Sequence, residues 1–297
     1  MLWCVLLLRV QALWEAPMKT LLVIDSHFMC HRAFHTCGDL SHRGIATGVI
    51  YGFLKSVHSL MEQFSTENVV FCFEGKDLLR KKIYPGYKAG RNRVRDPEKE
   101  KAYSELNRQI YDLRTKHLPA CGFKNIFCEP GFESDDLMAD IAFRVSENML
   151  PDFRVILVTS DSDMYQCLHP LVGIWNPIKQ KLLHWKWFDT EYKIRPEEWP
   201  WVKAVAGCPS DNVKGIPGIG EKTALKYLWE TCHPSIVQKV KSLEGQRIIR
   251  SNLELVRLPH AQCPRLALVR DEFSQAGWGD VCTSLGIRSI PAYQRHG

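Results

Sequence analysis

Carboxylates gather at a few places in this chain. Asp25, Glu74 and the pair Asp161 and Asp163 each follow closely on a short apolar run, while Glu133, Asp135 and Asp136 open a stretch of helical periodicity. If those runs are strands of one parallel sheet, their acidic ends face the crevice beyond the carboxyl edge, where open sheets of this kind hold ligands. Acids brought that close oppose one another, since two unit charges about 4 Å apart repel by roughly 4 kcal/mol at an effective dielectric of about 20. Bound cations, raised pKa values, or both relieve the repulsion. An all-oxygen donor set favours Mg²⁺ or Mn²⁺ over zinc, and the chain has neither a Cys/His quartet nor an HExxH. Divalent cations that hold a phosphate and activate water hydrolyse phosphodiesters, with the carboxylates as ligands and not as nucleophiles. A second reading of the Glu133 group needs no function, because acids in a first turn complement the helix dipole.

Positive charge is clustered too. Lys76, Arg80, Lys81, Lys82, Lys88, Arg91, Arg93 and Arg95 fall within twenty residues and are opposed only by Asp77. Charge runs are commonly solvated surface. This one is interleaved with Tyr84, Pro85, Gly86 and Tyr87 and follows an acid-tipped run, a mixture suited to a phosphate backbone and unstacked bases. Acidic and basic residues mix again from Asp96 to Lys116.

Further along, Gly215 to Gly220 reads GIPGIG and is followed by Glu221 and Ala224. Two glycines around an apolar residue suit a tight turn whose backbone N–H groups face a phosphate. With no strand expected before it, a dinucleotide fingerprint fits less well than a helix-hairpin-helix that grips duplex backbone without reading bases. A purely structural turn is the alternative. No GxSxG elbow or P-loop is present, which argues against serine-hydrolase and ATPase chemistry. Among the histidines, His27 stands out for its closeness to Asp25.

The elements that must position these groups follow from apolar periodicity. Leu21 to Ile24, Val69 to Phe73 and Val155 to Val158 read as buried strands, and Gly48 to Phe64 and Ser134 to Val145 as amphipathic helices. Alternating strand and helix signals from Met18 to about Val172 predict a parallel α/β sheet covered by helices. From about Arg195 the text turns to helices and Gly/Pro turns, so a boundary is set near Ile194. Pro196 to Ala206 and Glu221 to about Trp229 are expected helices, and more helices follow Pro234. After about Asn252 the sequence supports only packing against the main body.

Composition agrees with ordinary globular domains. The 297 residues include 39 Lys and Arg against 33 Asp and Glu, a formal net charge of +6, with 45% hydrophobic and 24% charged residues. That excludes disorder, collagen and coiled coil, and the length suggests two compact units. The eleven cysteines are odd in number and contain no CxxC, which points to reduced thiols in a cytoplasmic compartment. Leu2 to Leu8 is apolar but lacks a preceding basic region and is too short to span a membrane. Residues 1–17 are read as an upstream extension, with a short packed helix as the alternative.

Taken together, the blocks VIDSHFMCHRAFH from Val23, YPGYKAGR from Tyr84, FESDDLMAD from Phe132, VTSDSDMYQCL from Val158 and GCPSDNVKGIPGIGEKTALKYL from Gly207 resemble the 5′ nuclease family. That family comprises phage 5′-to-3′ exonucleases, the 5′ nuclease domain of DNA polymerase I, and flap endonucleases. The resemblance implies a PIN-like domain over residues 18–194 with a helical arch at about 76–116. A helix-three-turn-helix domain with C-terminal helices follows over 195–297. It implies a structure-dependent 5′-3′ exonuclease or flap endonuclease that cleaves DNA at 5′ single-strand/duplex junctions with two Mg²⁺ ions, Mn²⁺ substituting. K⁺ would sit at the hairpin turn. The chain is expected to be a monomer of a bacterial or phage-infected cytoplasm, without membrane contact, acting in DNA replication or repair. By resemblance Asp25, Glu133, Asp135, Asp136, Asp161, Asp163 and Asp211 match metal-site acids. Lys88 and Arg91 match basic residues at the arch base, and Arg32 matches the basic residue after the first acid. Tyr87 would stack on an unpaired base, with Arg80, Lys81 and Lys82 beside it. Gly215, Gly218, Ile219, Gly220, Lys222 and Thr223 would hold the duplex.

Two positions depart from the pattern. An acid is expected where Phe73 stands, with Glu74 one place away as its substitute, and Cys208 stands where many members have another Asp. Loss of outer acids would weaken the second metal site. The alternatives are therefore an inert relative that binds DNA structures, and a PIN-type ribonuclease.

Overall fold

A computed structural model describes residues 18–91 and 96–291, and for Arg91 the backbone alone. The extension at 1–17, together with Arg93 and Arg95, lies outside the described residues.

The strands in chain order are β1 (Lys19–Asp25), β2 (Ser41–His42), β3 (Ile45–Ala46), β4 (Val69–Cys72), β5 (Ile126–Phe127), β6 (Phe153–Val158), β7 (Val172–Asn176) and β8 (Lys181–Leu183). Six of them form one sheet in the order β5-β4-β1-β6-β7-β8, parallel except for the β7/β8 pair, while β2 and β3 make a separate small hairpin. The three apolar runs expected as strands lie at the centre as β4, β1 and β6. Alternation along β1 explains why the run is apolar throughout. Leu21 and Val23 enter one buried cluster, Leu22 and Ile24 the other, so both faces of the strand are covered. In register, Asp25 lies beside Cys72, and Ile24 beside Val158, which brings the strand ends together.

Helices Ser26–Cys37 and Gly48–Gln63 cover one face through Met29, Cys30, Phe53 and Leu54, and helix Ser134–Ser146 covers the other through Leu137, Met138 and Ile141. Helix Pro97–Asp112 rises from the basic segment. It has Pro at its first position, where no intrahelical N–H is lost, and the Asp96 side chain accepts a hydrogen bond from the Lys99 amide.

Beyond Ile194, a single turn at Pro196–Glu198 leads into helix Trp199–Ala206. The pairing of β9 (Gly207–Cys208) with β10 (Val213–Lys214) then precedes the glycine turn. The expectation that no strand stands before Gly215 is thus corrected, although this two-residue antiparallel ladder is no part of the main sheet. A Cβ on Gly215 would lie 2.2 Å from the Ala206 carbonyl carbon, and Gly218 has φ +79°, so the turn needs glycine at both places. Helices Glu221–Leu228, Pro234–Lys241 and Leu243–Val256 follow. Asn252 Nδ2 donates to the carbonyls of Ala204 (2.8 Å) and Lys214 (2.9 Å), fixing the last of these helices to the turn.

The apolar cluster under helix Ser134–Ser146 runs on through Trp199, Val202, Ile249 and Leu255, across Ile194. The segment after Val256 crosses back to the α/β sheet. Lys124 N–H donates to Asp271 Oδ1 (2.6 Å), Phe273 stacks on Phe123 with centroids 5.0 Å apart, and helix Gln275–Ser284 buries Trp278, Val281 and Cys282 in the second cluster.

Candidate active site

The carboxyl edge of the sheet opens onto a cavity of about 780 Å³. Asp25, Glu74, Glu133, Asp135 and Asp161 line it, with Lys81, Lys88, His27, His31 and Tyr103 on its walls. Asp25 ends β1 and caps the following helix, its Oδ1 accepting from the Phe28 amide (3.1 Å) and from Ser134 Oγ (3.1 Å). Thr159 Oγ1, beyond β6, donates to Asp25 Oδ2 (3.3 Å). Glu133 and Asp136 form a capping box, the Glu133 amide donating to Asp136 Oδ2 (3.1 Å). The helix-start reading of this acidic trio therefore holds for Asp136, whereas Asp135 turns to the cavity.

Burial and mutual repulsion raise the pKa values of Asp25 and Asp135. Desolvation pushes Asp25 up to about 6 against the pull of its hydrogen bonds. Desolvation, then the nearby Asp161 and Asp25, hold Asp135 well above the ordinary carboxylate range, and its Oδ1 is shielded from solvent with no hydrogen-bond partner. A buried carboxylate oxygen with no donor is an atom that a bound cation can satisfy. Glu133 is neutralised on its side by Lys88, and Lys88 Nζ also lies 5.4 Å from the Tyr87 ring centroid. Glu74, half-exposed beyond β4, faces the cavity with His27 Nε2 4.0 Å from its Oε2, while Phe73 is buried.

Several sequence-predicted residues are placed elsewhere. Tyr87 was expected to stack on a base, but it is buried, with its hydroxyl donating to Glu133 Oε2 (2.8 Å) and lying 3.3 Å from Asp211 Oδ2. Arg80 is corrected in the same way. Its guanidinium is interior, bound to Asp136 at 2.5 and 2.8 Å, to the Leu255 carbonyl at 2.8 Å and to the Arg257 carbonyl at 3.0 Å. Asp136 is accordingly spent on Arg80, the Glu133 amide and the His260 amide (2.7 Å), and is absent from the cavity wall. Ile219 is an apolar anchor of the glycine turn, whereas Gly218, Gly220 and Lys222 are exposed and Thr223 is partly so. Lys81 and Lys82 are exposed, only Lys81 reaching the cavity. Arg32 opens on a different hollow, with Lys55 and Trp175. The Arg91 side chain lies outside the described residues.

Asp163 and Asp211 sit behind Ser162 and Ser210 of the cavity wall. Together with Cys208 they form a compact group whose ligand atoms all lie within 4.8 Å of one another. Sequence reading missed Lys203, which reaches this group from helix Trp199–Ala206 with Nζ 3.0 Å from Asp163 Oδ1. The available signal was a single charge inside the apolar segment WPWVKAVA. Tyr103 and His31 were missed as wall residues because nothing in their spacing links them to the acids.

The family model described as the 5′-3′ exonuclease, N-terminal resolvase-like domain, matches residues 20–193. The thermostable DNA polymerase I of Thermus thermophilus is 32% identical over 82% of this chain and 28% of its own length. DNA polymerase I of Mycobacterium tuberculosis is 31% identical over the same shares. The chain thus spans just over a quarter of the length of these curated relatives. Among solved structures, the T5 D15 protein co-crystallised with metal ions superposes with a TM-score of 0.68 at 20% identity, covering 81% of this chain and 90% of that one. Human GEN1 in complex with Holliday junction DNA gives 0.54 at 13% identity, covering 93% of this chain and 69% of that one. At such identities the structural likeness establishes the fold.

Proposed function

The chain belongs to the 5′-3′ exonuclease family, a family of hydrolytic nucleases, and from that premise we propose that it hydrolyses DNA phosphodiesters at 5′ single-strand/duplex junctions with the help of bound Mg²⁺. The observation that carries the metal is the Asp135 Oδ1 atom, buried without a donor on a carboxyl that, like Asp25, is held above the ordinary carboxylate range. The donor set fits a hard divalent cation, since it is made of oxygens and, among the described residues, carries Lys and Arg partners at Glu133. Asp25, Asp135 and Asp161 would hold it, with Glu74 and Glu133 at the flanks. Divalent cations bound there supply Lewis-acid stabilisation of the phosphate and a water activated for in-line attack.

The remaining work falls to the chain's own side chains. Ser134 and Thr159 hydroxyls orient Asp25 from two sides. Lys88, held by Glu133 at the wall, offers a positive charge to a scissile phosphate entering the cavity, and exposed Lys81 adds to the attraction at the rim. Gly218 and Gly220, left open ahead of helix Glu221–Leu228, give duplex phosphate an approach to backbone N–H groups, and Lys222 adds charge there. The K⁺ implied by resemblance belongs to this turn. No helix of the described residues is long and apolar enough to cross a membrane.

The test is cleavage of a labelled 5′-flap duplex by the chain and by Asp161→Ala, in Mg²⁺ and in EDTA. The expected result is Mg²⁺-dependent product near the junction, absent from a folded Asp161→Ala variant that still binds the flap. Cleavage by that variant at the parental rate would overturn the assignment. Binding without product, in Mn²⁺ as well, would support the inert relative.

A further inference from the structure

The acids in and behind the cavity wall are not held alike. Asp25, Asp135 and Asp161 touch no ammonium or guanidinium among the ion pairs of the described residues. Asp163, by contrast, is paired with a buried lysine. Lys203 Nζ lies 3.0 Å from Asp163 Oδ1, 3.0 Å from Ser162 Oγ and 3.8 Å from Glu221 Oε2, and 5.3 Å from the centroid of the Trp199 ring. The residue is 8% exposed, so its position is set by packing and not by chance at the surface.

The third group around Asp163 is a thiol. Cys208 Sγ lies 3.6 Å from Asp163 Oδ2 and 3.2 Å from Ser210 Oγ. A thiol is a soft donor that suits a hard cation poorly. The cluster thus brings two carboxylates and a thiol together with a lysine side chain already in contact with a ligand oxygen. A dication arriving there meets a lysine side chain 3.0 Å from a ligand oxygen and a poor hard-ion donor, whereas at Asp25, Asp135 and Asp161 it meets three carboxylates that no ammonium or guanidinium pairs among the described residues.

Resting on the metal-site reading above, we propose that the Lys203 ammonium is the resident cation of the Asp163, Cys208 and Asp211 cluster. The chain then binds one divalent cation tightly at Asp25, Asp135 and Asp161, and a second only weakly beside Asp163. Lys203 is a positioning residue in this arrangement, since it acts on Asp163 and not on substrate.

Calorimetric titration of Mn²⁺ into the whole chain without DNA tests the proposal by stoichiometry and affinity, independently of cleavage. The parent is expected to show a single tight ion, lost in Asp135→Asn. In Lys203→Met the weak second site is expected to tighten by at least about tenfold. Cys208→Asp, which keeps the lysine and adds a carboxylate, should tighten it as well and serves if Lys203→Met fails to fold. Two ions of equal affinity in the parent, or no tightening in the folded variants, overturn the proposal while leaving the metal-site reading intact. A parent with no tight ion, or an Asp135→Asn variant that keeps it, overturns that reading and the proposal with it.

Discussion

Arg80 and Asp136 show how far chemistry at one residue depends on where it is buried. In the sequence Arg80 belongs to a basic run and Asp136 to an acidic trio, and both look like ligand groups. In the fold they consume each other, 2% and 0% exposed, with the Glu133 carboxylate and backbone carbonyls and amides satisfying what remains. Breaking such a pair from one side leaves an uncompensated charge, so Arg80→Met is expected to cost about 3–5 kcal/mol. Urea unfolding measures this, and a loss below about 1 kcal/mol, the range of an exposed pair, would contradict the interior pairing. That acids gather at one edge of the sheet was legible because charge and strand ends coincide. The fates of Arg80, Asp136 and Tyr87 were not, because burial depends on contacts with Leu255, Arg257, His260 and Asp211, far off in the chain. A pH prediction follows at this scale. With Asp25 raised from 3.8 to about 6, protons compete with a divalent cation for it, so cation affinity should fall as pH drops through about 6 and recover above it. Mn²⁺ titrations across that range check the sign, and an affinity that rises on acidification would refute it.

Among elements, the central strands announce themselves as unbroken apolar runs because both of their faces are covered. The peripheral strands do not. β5 has two residues, β7 contains Gly173, and β8 carries Lys181 at its exposed start, so no periodic signal separates them from loops. The glycine turn was legible for a different reason, since Gly215 and Gly218 are forced by close approach and positive φ. The proposed role as a duplex grip makes a prediction about the helix the turn feeds. Lys222 is exposed in the first turn after Gly220, so Lys222→Ala should weaken binding uniformly across duplex sequences and lower the log–log salt slope by about one. Fluorescence anisotropy over a salt series measures that slope, and an unchanged slope would remove the turn from the interface.

At the scale of the whole molecule, two apolar clusters sandwich the sheet and neither belongs to one stretch of sequence. The cluster under helix Ser134–Ser146 extends into Trp199 and Ile249, and the other is completed by Trp278, Val281 and Ile287. Trp278→Ala, removing a side chain 2% exposed, is expected to cost about 3–5 kcal/mol although it does not line the acidic cavity. Thermal unfolding with hydrogen exchange resolved along the chain should show the loss at β1, β4 and the helix Gly48–Gln63. Weakening confined to residues 269–290 would show instead that the segment is only an appendage. Sequence reading could not reach this arrangement, because residues 257–274 have no periodicity and pair with Gly122, Lys124 and Asn125 across a gap of more than a hundred positions.

That return crossing also bears on how the protein is made. During synthesis β1, β4 and β6 leave the ribosome long before Phe273 and Trp278 exist to cover Phe123 and His58. The acid-bearing sheet is thus assembled in outline early and sealed late. A message cut short between those points yields a chain with its acids but an unfinished core, the kind of species whose exposed apolar surface makes it prone to aggregate.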